Sequence, residues 1–252
     1  MFASSKILVF ASQKGGSGKS TLSGHTAVQA LRAGLKVGLI DTDPQGSLAG
    51  WYKARENKGL EFRAGGPEYM DQFVTELREA GCDLIVVDTP PAVTAAIGEV
   101  VDYADMVVIP TRPSPHDLRA VGATCDIVER RGKALTFVVN SANRRARITS
   151  DAAVALSQHG TVAPVTVHHR VDFAASMIDG RTVMEVDADG KSAEEVTQLW
   201  DYLQQRLERL SISQPRNELE QPRVSFAAAH ASQSETPAVR RHAPVFGRRY
   251  SA

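Results

Sequence analysis

Cysteine is nearly absent from this chain. Its two residues, Cys82 and Cys125, stand far apart and form no CxxC pair. That excludes a disulfide framework and a cysteine-built metal site, and it predicts a reducing compartment. No apolar run approaches the ~18–20 residues of a membrane span. The opening MFASSKILVF lacks the basic n-region and long apolar core of a secretion signal. These absences predict a cytoplasmic protein without membrane contact. Net charge is missing as well, with 29 Lys+Arg against 29 Asp+Glu. The chain as a whole therefore exerts no pull on nucleic acid, and such a partner requires a local basic patch. Residues 112–150 offer one, with eight basic and three acidic side chains, whereas residues 151–210 hold five basic and ten acidic.

What is present is ordinary for a globular domain: 42% hydrophobic and 23% charged over 252 residues. This is enough for one α/β domain with or without a tail. Strand-like runs at 6–11, 36–41, 83–88, 106–110 and 134–140 alternate with helical patterns at 20–33, 68–80, 93–102, 116–131 and 149–158. Several runs are apolar throughout, as in strands covered on both faces. A last strand is expected at 162–167, a short edge strand within 58–66, and a closing helix at about 191–209. Alternation of this kind predicts an α/β fold: a mostly parallel, twisted sheet with helices on both faces. Ligands of such sheets bind at the carboxyl ends of the strands, and each motif below follows such an end.

The densest motif is ILVFASQKGGSGKST at 7–21. A buried strand leads into Gly15, Gly16, Ser17 and Gly18, and Lys19-Ser20-Thr21 opens a helix. Glycines let the backbone bend around a phosphate, and the helix N-terminus supplies free N–H groups and a positive dipole end. Lys19 can reach the β- and γ-phosphates, and the Ser20 hydroxyl can ligate Mg²⁺. The usual pattern has glycine where Gln13 stands, and a second lysine, Lys14, begins the loop.

Further motifs follow the other strands. Asp41-Thr42-Asp43-Pro44-Gln45-Gly46 places two carboxylates at i and i+2. Beside a triphosphate, one can hold the metal's shell and the other the attacking water; alone, the stretch also fits a solvated acidic turn. Asp83–Asp88 reads as a strand ending in a metal-holding aspartate, Asp88, before Thr89-Pro90-Pro91. Segments 42–47 and 89–91 are the two expected switch segments. In Arg112-Pro-Ser-Pro-His-Asp-Leu, Asp117 is the expected helix cap, and His116 reads as a surface histidine. Asn140 ends a strand with both a donor and an acceptor, which suits either an adenine edge or a turn. No NKxD pattern reads guanine, which favours ATP. Trp51 fits either the core or an interface.

KGGSGKST resembles the signature of the ParA/MinD group of P-loop ATPases. DTDPQGSLAGW at 41–51, DTPP at 88–91 and RPSPHDL at 112–118 resemble its small, ParF-like partition members. The resemblance spans about residues 6–209. It implies Mg²⁺-dependent ATP hydrolysis in a homodimer closed over the nucleotides, with Lys14 reaching the partner's phosphates. It further implies that Asp43 aligns the water, that Asp41 lies nearer the metal, that Asn140 binds adenine, and that 113–117 lies near the dimer interface. Its partners would be nonspecific duplex DNA and a centromere-binding or cargo adaptor protein that stimulates hydrolysis. The expected role is plasmid or chromosome partition from the nucleoid.

Arg144, Arg145 and Arg147, with Arg170 and Arg181, are the candidate DNA contacts, although a solvated basic face reads the same way. With no helix-turn-helix before the P-loop, binding would be sequence-independent. The domain is expected to end near 210. Residues 211–252, rich in Ser, Gln, Pro, Ala and Arg, read as a disordered tail that lacks the sustained apolar face of a membrane helix. Its pairs Arg240-Arg241 and Arg248-Arg249 fit DNA contact or an inert extension. Competing readings are a positioning ATPase for chemoreceptor clusters or another assembly, an amidating or dethiobiotin-type ligase, and a membrane oscillator of the MinD type.

Overall fold

The computed structural model describes residue 2 and residues 4–91 and 95–213. The element order is β1 (Lys6–Phe10), α1 (Lys19–Arg32), β2 (Val37–Asp41), α2 (Ser47–Ala54), β3 (Glu61–Ala64), α3 (Met70–Glu79), β4 (Leu84–Asp88), α4 (Ala95–Asp102), β5 (Met106–Thr111), α5 (Pro115–Arg130), β6 (Ala134–Val139), α6 (Arg147–Ser157), α7 (Val171–Met177), α8 (Val183–Val186) and α9 (Lys191–Ser213). Six strands form one sheet in the order β3-β2-β4-β1-β5-β6, and every pairing is parallel. The strand β1 is central. The chain leaves it toward β2 on one side and later returns to β5 on the other, so a switch point opens at its carboxyl end.

The apolar runs are explained by two cores, one on each face. Leu8, Phe10, Leu39 and Val86 point into a cluster with α1 and α9. Ile7, Val9, Ile40 and Val87 point into a cluster that includes residues of α3, α4 and α5. Alternating side chains thus enter opposite layers, and neither face is left polar. The stripe Val196, Leu199, Trp200, Leu203 and Leu207 of α9 is fully buried, contributing roughly 1.5–3 kcal/mol for each aliphatic residue. Trp51 also belongs to the core, and its Nε1 donates to Arg181 O at 3.0 Å. Cys82 and Cys125 are buried and free.

Several expectations need correction. Residues 162–167 form no named strand. They run beside β6 through two isolated bridges, Phe137–Val162 and Ala142–His168. Pro164, which has no N–H to donate, stands between them and breaks the ladder. The cap of α5 is Ser114, whose Oγ accepts from Asp117 N; Asp117 sits inside the first turn. The closing helix passes 210 and continues to Ser213. The arginine pairs of the tail lie outside the described residues. Among the described residues, no helix is long and apolar enough to cross a membrane.

Candidate active site

The carboxyl ends of β1, β2, β4, β5 and β6 border a cleft of about 550 Å³, a size suited to a nucleotide. At its floor the loop after β1 turns through Gly16 (φ +71°) and Gly18 (φ +96°) into α1. Both conformations strain any residue with a Cβ. A methyl group at Gly18 would also collide with Asn140 Nδ2. Gly18 is the N-cap of α1 and offers no side-chain acceptor, and the first turn holds no acid. The N–H groups at that helix end are left for an anion.

Gly16, Gly18, Lys19, Ser20, Thr21, Asp43, Asn140 and Arg170 all line the cleft. Lys19 is buried; burial lowers its pKa, and the charges of Asp88 and Asp43 oppose that. Asp43 accepts from Gln45 N at 2.9 Å, which fixes the turn between β2 and α2. Ser17 lies behind the loop, and its carbonyl accepts from Asn140 Nδ2 at 2.7 Å. Asn140 therefore ties the end of β6 to the phosphate loop as well as facing the cleft. Lys14 and Gly15 are exposed and do not line the cleft.

The three aspartates separate into different situations. Asp41 and Asp88 pair directly across β2 and β4. Both Asp41 oxygens are engaged, one by Asp43 N at 3.0 Å and one by Ala49 N at 2.9 Å. Asp41 thus ties the turn after β2 to the first turn of α2, with one N–H bond on each oxygen. Asp88 is fully buried. Ser23 Oγ donates to its Oδ1 at 3.3 Å, and Oδ2 has no hydrogen-bond partner. Burial pushes its pKa up to about 7, and hydrogen bonding to Ser20 and Ser23 only partly counters this. An orphaned carboxylate oxygen beside a serine hydroxyl fits a hard divalent cation such as Mg²⁺, which takes one or two protein oxygens plus phosphates and water. Among the described residues there is no cluster of three or more His, Cys, Asp or Glu for a metal held by protein alone.

The far end of the cleft was not foreseen. Ser141, His168, His169, Phe173, Ala174 and Met177 line it. Glu195 of α9 organises it, accepting from His168 N (3.0 Å), His168 Nδ1 (2.7 Å), Arg170 Nη1 (2.6 Å) and Arg170 Nη2 (2.7 Å). Burial alone would raise the Glu195 pKa, but the Arg170 and His168 bonds outweigh it and hold the carboxyl below its usual range. Being ionised, Glu195 only accepts, so His168 Nδ1 carries the proton. Arg170 is therefore paired with Glu195, which sets it apart from the other candidate DNA contacts. Arg181 is likewise paired, with Asp179. Arg144, Arg145 and Arg147 are exposed just beyond the carboxyl end of β6.

A buried network anchors α2 behind the cleft. Arg55 donates to both oxygens of Glu185 at 2.7 and 2.6 Å and to Gly180 O at 2.8 Å. Next to it, His25 of α1 is fully buried, with Nδ1 2.7 Å from Thr21 O and Nε2 accepting from Val183 N at 3.2 Å. Burial drives its pKa down to about 4. No contiguous motif marks this region, because the Arg55 partners lie over 120 residues away in the chain.

Comparison with known proteins agrees with this geometry. The CobQ/CobB/MinD/ParA nucleotide binding domain matches residues 8–183. The maintenance of carboxysome distribution protein A of Halothiobacillus neapolitanus is 29% identical over 202 residues, covering 76% of this chain and 93% of that protein. The chromosome-partitioning ATPase Soj of Thermus thermophilus is 27% identical over 151 residues, or 48% of this chain and 61% of Soj. Among solved structures, the septum site-determining protein MinD of Pyrococcus horikoshii, complexed with Mg-ADP, shares the fold. Its TM-score is 0.70 at 14% identity, over 82% of this chain and 98% of that one. The phosphate loop, the buried Lys19 and the orphaned Asp88 all lie within the matched residues, and the chain belongs to the CobQ/CobB/MinD/ParA family as a ParA/MinD-type P-loop ATPase.

Proposed function

We propose that this ATPase is a nucleotide-gated dimer that binds duplex DNA without sequence preference and moves or segregates a cargo along it. The observation that carries the reading is the contrast between the two loop lysines. Lys19 is buried at the cleft, while Lys14, five residues earlier, is exposed and outside it. An exposed cation beside its own phosphate site is placed to complete a second copy's site when two clefts face each other. There it would offset triphosphate charge in a dry interface.

Within one subunit, the backbone N–H groups of the loop and Lys19 hold the phosphates, and Asp43 orients the attacking water. Asn140 orients the base, and Asp88 with Ser20 would hold Mg²⁺. When bound, the ion neutralises charge on the phosphate oxygens. Loss of the γ-phosphate removes Lys14's target and loosens the dimer. Arg144, Arg145 and Arg147 supply the exposed positive charge for DNA phosphates, doubled in the dimer. On this reading the ATP-bound form sits on the nucleoid of the cytoplasm, and a centromere-binding or cargo adaptor protein stimulates hydrolysis. The P-loop ATPase domain extends through α9.

For the cargo, a plasmid or chromosome is the first reading. A large protein assembly is the second, favoured by the carboxysome-distribution relative, 93% of whose length this chain covers. The test is binding to a random-sequence duplex without nucleotide, with ADP and with ATP, at two salt concentrations, for the native chain and Lys14→Ala. The expected result is salt-sensitive binding with ATP only, lost in Lys14→Ala. Equal binding in every nucleotide state, or none at low salt, would overturn the DNA reading.

A further inference from the structure

We propose that Arg112 is a second, same-subunit cation for the terminal phosphate of ATP, one that distinguishes ATP from ADP. This rests on the ATPase reading of the cleft and extends it to Arg112, which opens the 112–118 motif but has no role assigned to it there. The placement follows from topology. Thr111 ends β5, and β5 lies beside β1 in the sheet, so the next residue emerges next to the phosphate loop. The turn that follows holds Arg112 there: Ser114 N donates to Arg112 O at 2.8 Å, Pro113 stiffens the backbone, and Ser114 caps α5.

The side chain then lies across Gly16. A methyl group built on Gly16 would meet Arg112 Nη2 at 2.9 Å, Cζ at 3.7 Å and Nη1 at 4.0 Å, so the guanidinium covers the bare glycine. It also lines the cleft with Lys19, Asp43 and Pro91. Its charge is not otherwise engaged, since no ion pair involves it among the described residues. The nearest acid in sequence, Asp117, is buried and bonded to Ser114. A permanently charged, planar five-donor group left unpaired at a phosphate loop is suited to an anion. Lys19 is buried and Arg112 is exposed, and both line the cleft, so two cations of one subunit serve the same loop. In hydrolysis, water forms a bond to the γ-phosphorus, the bond to the β,γ-bridging oxygen breaks, and its electron pair stays on ADP. Arg112 exchanges no proton; it balances charge on the γ-oxygens.

The test compares fluorescent ADP with a fluorescent non-hydrolysable ATP analogue, each with Mg²⁺, on the full chain, Arg112→Ala and Arg112→Lys, alongside single-turnover hydrolysis and thermal melts. Arg112→Ala should weaken the ATP analogue about tenfold, the effect of one charge-assisted hydrogen bond. ADP should change less than about twofold, and the melting temperature should stay put. Hydrolysis should slow, and Arg112→Lys should recover part of both losses because it keeps the charge. Equal weakening of both nucleotides, or unchanged ATP binding with impaired dimerisation alone, would overturn the proposal and make Arg112 a structural or interface residue. A native chain that binds neither nucleotide would remove the ATPase reading itself, and this inference with it. Native binding with an unmoved ATP/ADP ratio in Arg112→Ala removes only the inference.

Discussion

The two ends of the cleft handle a buried carboxylate in opposite ways. At the phosphate end, Asp88 is fully buried with one oxygen unpartnered, and its pKa rises to about 7. At the other end, Glu195 is held by four hydrogen bonds, and its pKa falls despite burial. The first arrangement is costly without a ligand, because a desolvated charge lacks compensation. The second is complete within the protein. The unpartnered oxygen of Asp88 beside the phosphate loop is thus open to a ligand, whereas the Glu195 network is closed within the protein and holds the wall in place.

The contrast can be broken by substitution, and the largest effect is expected at the phosphate end. Asp88→Asn should slow hydrolysis on the order of 10²–10³-fold, measured by phosphate release. It should also raise the melting temperature of the nucleotide-free protein at pH 8. The sign follows from linkage. A carboxyl raised from 3.8 to about 7 stabilises the fold least above about 7, where the buried charge is fully formed. An unchanged or lower melting temperature would show that Asp88 is already compensated. At the other end, Glu195→Ala should do the reverse. It strands Arg170, costs roughly 2–3 kcal/mol in denaturant unfolding, and weakens ATP and ADP by the same factor. Unequal weakening would mean that this end senses the phosphates.

A smaller effect sharpens the picture at the back wall. His25 has its pKa lowered from 6.5 to about 4, so stability is full above pH 6.5 and is lost as pH falls toward 4. The slope is about 1.4 kcal/mol per pH unit in that window. Asp88 contributes an opposite slope over the same window, so the readout is the difference. His25→Gln, which cannot titrate, should make the slope of stability against pH more negative than in the native chain, by about 1.4 kcal/mol per pH unit between about pH 6.5 and 5. An unaltered slope would place the titration elsewhere. The smallest change is expected for Ser23→Ala. It removes a long hydrogen bond to Asp88 and should alter hydrolysis no more than about fivefold, matching a net bond of ~0.5–1 kcal/mol.

What could be read in advance follows the same division. The phosphate loop, the DTDP turn and the Asp88 strand are contiguous stretches, each with its own chemistry and its own strand or helix beside it. Short-range periodicity and glycine placement were sufficient for them. The edge strand within 58–66 and the buried stripe of α9 were legible for the same reason. The spacing of Asp41 to Asp43 is identical whether its oxygens face a metal's shell or only the N–H groups of Asp43 and Ala49, so the bonds it makes were not legible in sequence. Residues 162–167 carried an apolar strand pattern, but Pro164 spoils the ladder once β6 is alongside.

The sequence by itself determined the layered parallel sheet, the phosphate-binding loop and the family, because each depends on neighbours in the chain. Only the tertiary structure decided that Arg170 serves Glu195, that Arg112 covers Gly16, and that Arg55 and His25 anchor the elements around α8. Each of those contacts joins residues from roughly 25 to 160 positions apart. A side chain's partner at such separations is set by which strands lie side by side and by which charges burial forces to pair.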